Sequence, residues 1–490
     1  MRDTTLLAKI EADATRLGLP EGRTAVQELG RFKSFLRLET HRLKMLHRAG
    51  AGGLEICQAR AAMLDVLLRH LWNAALRAPA DGVPDGPANA ALVALGGYGR
   101  AELNPHSDID LMVLHEEGAA DARGGSPRLV RLVDALLYPL WDLGLKVGHA
   151  VRTIEDCLRV GRADMRSMTA LLEARLVCGD TRLFARFQRA LLTRGMAGHE
   201  QEYIAARLDD QAQRRARFGN SACMQEPNLK EGCGGLRDFQ NLLWMAFVKY
   251  RVRSLLDLQA REWITPEERR QLESAHDFLL RVRTELHYHI NRPCDVLSKT
   301  YQPAVAYQLG YKDRSPSRRL EQFMRDLYTH ARRIHLLTRT LEERFAPRAS
   351  AKRSPAWRAW MPVGTTRPAA PVDGFRFVAD RVQAVSPRVF RDDPRRLLRL
   401  FRHAQQRGLK LDPDLARLVR REVVLVDGAL RRDPHASETF LSILNERGAV
   451  APVLRAMHEV GLLGRFLPEF GRLTCLVQHE FYHLYSADEH

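Results

Sequence analysis

With 490 residues the chain has room for two to four domains and their cores, and 45% hydrophobic with 28% charged residues is the composition of a soluble globular protein. Lysine and arginine outnumber aspartate and glutamate by 76 to 59, a net charge of +17; such a balance suits anionic partners (nucleotides, nucleic acid, an acidic protein) or reflects an arginine-rich genome. Seven scattered cysteines without a Cys-x-x-Cys pair exclude a disulfide framework or zinc ribbon, and the lack of an apolar leader or of about 18 uninterrupted apolar residues makes the cytoplasm the expected compartment, with no membrane partner.

In chain order, residues 1–75 read as a helical region: Leu29, Phe32, Phe35 and Leu36, then Met63, Leu64, Leu67 and Leu68, recur near helical spacing. The Pro/Gly/Ala connector RAPADGVPDGPANA leads into a core expected over 76–156. Its central run, ALVALGGYGRAELNPHSDIDLMVL from Ala91 to Leu114, reads as strand, glycine turn, polar connection and strand. Side chains alternate along a strand, so Asp108 and Asp110 are expected on one side, at the mouth of the sheet beside Gly96 and Gly97. Hard divalent cations take oxygen ligands, usually one or two carboxylates plus water and phosphate. The two aspartates are therefore candidate ligands for Mg²⁺. Gly96 and Gly97, lacking Cβ atoms, let backbone N–H groups approach a triphosphate, and Arg100 and Ser107 are further candidates for phosphate contact. The order Gly97-x-Gly99-x-x-Glu102 lacks the third glycine of a dinucleotide fingerprint, and no Gly-Lys-Ser/Thr makes a P-loop.

Beyond the second strand, RLVRLVDALLYPLWDLG has the spacing of a helix on the sheet and LKVGHAVRT that of another strand. From 157 to 345 the pattern reads as almost wholly helical, broken by the turn from Pro227 to Asp238, PNLKEGCGGLRD. Its glycines before a helix offer either an anion site strengthened by Lys230 and Arg237 or a plain helix-joining turn. His287 and His289, at i and i+2 of a helix, diverge; packing or surface roles are expected for both. Residues 346–375, rich in Pro, Ala and Arg, read as a linker or insertion, 376–470 as a helical connecting region and 471–490 as the opening of a further domain. The run His479-Glu-Phe-Tyr-His483 matches a metalloprotease pattern, and its context argues against that chemistry.

The run from Ala91 resembles the nucleotidyltransferase superfamily related to DNA polymerase β. That resemblance implies an α+β fold, a small mixed-sheet core embedded in a mainly helical chain. Many enzymes of the superfamily carry a third carboxylate on the next strand; here Lys146 and His149 stand where it would be sought, so that ligand is unassigned. The runs NLKEGCGGLRDFQ, RTELHYHINRPCDVLSKTYQPAVAYQLGY and EQFMRDLYTHARRIH, followed by FRDDPRRLLRLFRHAQQRGLKL and FYHLYSADEH, narrow the resemblance to the PII uridylyltransferase/uridylyl-removing enzymes.

This resemblance implies transfer of UMP from UTP to a tyrosine of the nitrogen-signalling protein PII, with Asp108 and Asp110 on Mg²⁺ and glutamine as an effector of the full-length family. It also implies that His490 is similar to the first metal ligand of a His-Asp hydrolase domain, whose remainder and following ACT domains are expected to be lacking, along with uridylyl-removing activity. Two other readings stay open: nucleotide addition to RNA, disfavoured by 7% aromatic residues, and a non-catalytic nucleotide-binding fragment.

Overall fold

The computed structural model describes residues 3–20, 23–77, 89–116, 127–345, 370–476 and 486–488. Contacts divide the chain into two compact units, Met1–Ala222 with Glu226–His335, and Cys223–Gln225 with Leu336–His490.

The first unit is built on a four-stranded sheet of order β3-β2-β1-β4, from β1 (Ala90–Ala94), β2 (Ile109–His115), β3 (Val147–Arg152) and β4 (Arg175–Gly179). β1 runs antiparallel to β2, with Val93 opposite Met112, and to β4; β3 runs parallel to β2, with Gly148 opposite Asp110. Every residue of β1 is buried, which is why its sequence is an unbroken apolar run instead of an alternation. On one face, Leu92, Leu111 and Val113 share a core with Leu64, Leu67 and Leu71 of helix Gly53–Arg77 and with Leu132, Leu136 and Leu140 of helix Pro127–Asp142. Each such fully buried leucine contributes about 1.5–3 kcal/mol. The N-terminal helices and the sheet thus share one core. On the other face the Cys157 thiol lies 3.5 Å from the Met112 sulfur.

The α+β expectation holds: a small mixed sheet lies in a mostly helical chain. Two segments depart from the expected pattern: residues 376–470, read as helical, hold three short strands among their helices, and a fourth strand joins the first sheet. Arg175-Leu-Val-Cys-Gly179, in a stretch read as helical, is β4. Five residues are too few to show a period, and the strand is set by pairing with β1, more than 80 positions earlier.

Helix Pro266–Ile290 begins at a capping box, Thr265 with Glu268, and lies against helix Gly53–Arg77. The approach requires Gly53, since a Cβ there would stand 2.2 Å from the Asp277 carbonyl oxygen. Leu54 N–H donates to Asp277 Oδ1 at 2.8 Å, closing the contact.

The second unit holds a three-stranded sheet, β5 (Phe375–Val378), β6 (Arg381–Ala384) and β7 (Lys410–Leu411), in the order β5-β6-β7. Its own core joins Phe375 and Val382 to Leu397, Leu400 and Phe401 of helix Arg396–Arg407 and to Phe440 and Ile443. Arg396 and Arg399 donate to Asp373 just before β5 at 3.0 and 2.6 Å. Among the described residues no helix is long and apolar enough to cross a membrane.

Candidate active site

β2 begins where the buried loop Leu103-Asn104-Pro105 turns outward, so the first carboxylates of the strand emerge at the sheet's mouth. Asp108 and Asp110 are both exposed and both line one recess of about 750 Å³. Neither carboxylate has a hydrogen bond or ion pair with a described residue. Partial burial, then the neighbouring charge of Asp108, holds the Asp110 carboxyl above its ordinary value, with Lys230 pulling the other way. Space around Asp110 is kept by Gly148, whose Cβ would lie 2.6 Å from Asp110 Oδ1, while one on Gly96 would stand in ordinary contact at 3.4 Å from Oδ2. Two uncompensated carboxylates in a cradle that side chains would fill fit a divalent cation.

The loop carrying these aspartates is fastened from helix Pro266–Ile290, roughly 180 residues further along. Asn104, buried, donates to Thr284 Oγ1 at 2.8 Å and accepts from Arg283 at 2.5 Å. Arg283 also donates to Asp295 Oδ1 at 2.7 Å. The buried His287 bonds the Pro105 carbonyl through Nδ1. A carbonyl only accepts, so that nitrogen carries the proton. Burial raises the Asp295 carboxyl, but the neighbouring His287 ring, 3.9 Å away, and the charge and hydrogen bond of Arg283 outweigh it and hold the acid well below the usual carboxylate range. His289 is exposed, its ring edge-on to Tyr301 at 5.9 Å. The two histidines therefore serve packing and surface, and share no ligand set.

In the first glycine turn, Gly96–Gly99 forms one short helical turn. Gly96 has φ of 56°, a left-handed conformation that suits glycine, and a Cβ on Gly99 would stand 2.4 Å from the Glu173 carbonyl. The N–H groups of Gly96 and Gly97 meet no acceptor among the described residues, whereas Gly99 and Arg100 donate to Leu95 and Gly96. Gly96, Gly97 and Ser107 all line the recess. Ser107 Oγ is buried there with no described partner.

Arg100 departs from the part expected of it. Its guanidinium donates to Glu102 at 2.8 Å and to Glu173 at 2.5 Å, and despite burial these carboxylates, Glu173 foremost, hold its pKa above the ordinary arginine value. A cation spent on two buried acids has little charge left for phosphate. It instead ties the turn to Glu173, which also accepts from Trp244 Nε1 at 2.5 Å.

The second glycine turn spends its donors internally. Gly235 N–H bonds Gly232 O, Leu236 bonds Leu229 O, Arg237 bonds Lys230 O, and Asp238 bonds Gly235 O, all at 2.9–3.1 Å. Gly234 N–H donates to Asp238 Oδ2 at 2.9 Å, so the helix start at Leu236 is filled by its own carboxylate. The backbone anion site does not form, and what reaches the recess is side chains, Lys230 and Arg237. Cys233, Asp238 and His335 bring ligand-type atoms within 4.8 Å of one another, but Arg214 and Arg215 already approach Asp238 at 3.1 and 3.5 Å.

β3 carries no acid: the position opposite Asp110 is Gly148. The nearby acids of the recess, Glu102, Glu173 and Asp295, are each paired with arginine. His490 and the His479–His483 run lie outside the described residues. Asn104, Arg283 and Asp295 are not evident from sequence, because the contact joining Asn104 to Arg283 spans 179 positions; only the adjacency of Asn104 to the Ser-Asp-Ile-Asp run hints at a role.

Comparisons with known proteins place this geometry in context. Residues 202–342 match the family model described as GlnD PII-uridylyltransferase, residues 375–466 that of the uridylyltransferase GlnD third domain, and residues 18–130 that of glutamate-ammonia ligase adenylyltransferase. A protein of Azospirillum brasilense named bifunctional uridylyltransferase/uridylyl-removing enzyme is 39% identical over 399 residues, 81% of this chain and 42% of its own length. Proteins of the same name from Phenylobacterium zucineum and Erythrobacter litoralis are 38% and 33% identical, over 90% and 99% of this chain and 46% and 52% of theirs. The chain spans about half the length of the curated relatives it matches.

Proposed function

We propose, from the premise that the chain belongs to the bifunctional uridylyltransferase/uridylyl-removing enzyme family, that the recess transfers UMP from UTP to a tyrosine of a PII-type signalling protein. The observation that carries this reading is the pair Asp108 and Asp110, unneutralised by any described residue, facing the same recess as the open N–H groups of Gly96 and Gly97. In the reaction the phenolic oxygen forms a bond to the α-phosphorus and the bond from that phosphorus to the bridging oxygen breaks. The electron pair leaves on pyrophosphate and the phenolic proton passes to solvent.

The two aspartates would hold Mg²⁺, which supplies charge neutralisation for the triphosphate and its leaving group. Gly96 and Gly97 donate to phosphate oxygens, and Ser107 Oγ offers a further donor at the same wall. Asn104, Arg283 and His287 hold the loop so that the carboxylates stay aimed, the positioning on which phosphoryl transfer depends. Glutamine as an effector belongs to this proposal only through the family.

The test is purified chain with Mg²⁺, base-labelled UTP and PII from the same source. Label on PII at tyrosine is the expected outcome. Label on RNA instead, or nucleotide binding without turnover, would overturn the reading.

A further inference from the structure

We infer that the turn from Pro227 to Asp238 is a rigid mount for Lys230, and that the Lys230 ammonium binds the triphosphate tail of the nucleotide. This rests on the nucleotidyl-transfer reading above and assigns the residue that faces the leaving phosphates.

The backbone of the turn is unusually constrained. Asn228 Oδ1 accepts from the N–H groups of both Lys230 and Glu231, at 3.0 and 2.8 Å, an Asx-type turn that leaves the lysine little freedom. Leu229 N–H donates to Asp295 O at 2.8 Å and Leu297 N–H to Pro227 O at 3.0 Å, pinning the turn to the segment after helix Pro266–Ile290. Cβ atoms on Gly232, Gly234 and Gly235 would come within 2.5, 2.1 and 2.9 Å of backbone oxygens. Those glycines are required by packing, since the donors they bring are consumed inside the turn.

The side chain so mounted differs from most of the recess arginines, the exposed Arg217, which stacks on the Phe218 ring, apart. Arg100 lies on Glu102 and Glu173, Arg207 on Asp210, Arg237 on Glu231, and Arg283 on Asp295, all with contacts of 3.3 Å or less. Lys230 comes no closer than 4.0 Å to a described carboxylate, that of Glu231. It lines the same recess as Asp108 and Asp110. Burial first, then the charge of Arg237, keeps the Lys230 pKa below the ordinary lysine value. A half-buried, weakly paired ammonium in a recess that also holds two carboxylates suited to a metal complements a polyanion that the metal neutralises only in part.

The experiment measures binding without any protein acceptor, on the full chain with Mg²⁺, for wild type, Lys230→Met and Lys230→Arg, with UTP, UMP, inorganic tripolyphosphate and inorganic phosphate as probes. Lys230→Met is expected to weaken UTP and tripolyphosphate about tenfold or more while leaving UMP affinity and the thermal midpoint within error. Lys230→Arg is expected to recover most of the loss. Equal weakening of UTP and UMP, or unchanged tripolyphosphate binding, overturns the assignment, as does wild type that binds tripolyphosphate no better than phosphate. Tripolyphosphate carries no base, so an intact Lys230 effect on it together with no transfer to PII would sink the uridylylation reading and leave the lysine assignment standing.

Discussion

Two glycine turns border the same recess, and they leave their glycine N–H groups in opposite states. At Gly96–Gly99 the missing Cβ of Gly99 lets the turn seat against the Glu173 carbonyl, and the N–H groups of Gly96 and Gly97 meet no described acceptor. At Gly232–Gly235 the missing Cβ atoms let the backbone fold onto itself and onto Ala331, and the N–H groups of all three glycines are consumed. Both turns precede a helical turn, and both look from sequence like anion cradles. The difference teaches that glycine supplies only close approach; whether an approached backbone still has donors to offer is decided by what else has come near.

Breaking the charge beside the first turn should have the largest effect. Asp108→Asn and Asp110→Asn are each expected to lower transfer by more than about 100-fold, beyond the 10–100-fold typical of residues that only support a metal ligand, with little change in melting temperature because both side chains are exposed. Steady-state transfer rates and a thermal melt decide it, and a turnover number preserved in both variants removes the metal role.

The contrast itself is sharpened by pairing Gly234→Ala with Gly97→Ala. At Gly234, with φ of 71°, the new methyl would meet the Ala331 carbonyl at 2.1 Å, a loss of about 3 kcal/mol or more. The same change at Gly97 meets its nearest atom at 3.4 Å and should stay within about 1 kcal/mol. Denaturant unfolding of both variants reads this directly. Similar losses at the two sites would erase the distinction between a packed turn and an open one.

Enlarging the same open position to valine should reveal its use. Gly97→Val is expected to raise the UTP KM about tenfold, as the branched side chain enters the space phosphate would occupy, while the melt shifts only slightly. Unaltered UTP affinity would mean that the first turn, like the second, serves only its own chain.

The smallest effect concerns Asp295, whose backbone holds the second turn and whose carboxylate holds Arg283, with His287 at 3.9 Å. Its folded pKa is depressed, so its contribution to stability is fully present above the ordinary carboxylate value near pH 4 and is lost as pH falls through the folded value. Asp295→Asn should cost about 1–3 kcal/mol at neutral pH and flatten the acid limb of the stability profile. Parallel profiles for wild type and variant would show that the network contributes nothing measurable.

Much of the centre was legible in the residues alone. The apolar run Ala91–Leu95, the glycines and Asp-Ile-Asp entering an apolar strand are local patterns, and the strand period alone places both aspartates at one mouth. The helices of residues 1–75 and the strand from Val147 follow likewise from period and punctuation. β4 was not legible, because five residues carry no period and its partner is distant. Nor was the commitment of Arg100 to Glu173, the fastening of Asn104 by Arg283, or the filling of the second turn by Asp238. Those are outcomes of competition among charges and donors that only the folded chain brings within 3.5 Å. Sequence determines which groups exist and which local shapes are cheap. Tertiary structure decides which of those groups are already spent, since a hydrogen bond or ion pair depends on distance in space and not on separation along the chain.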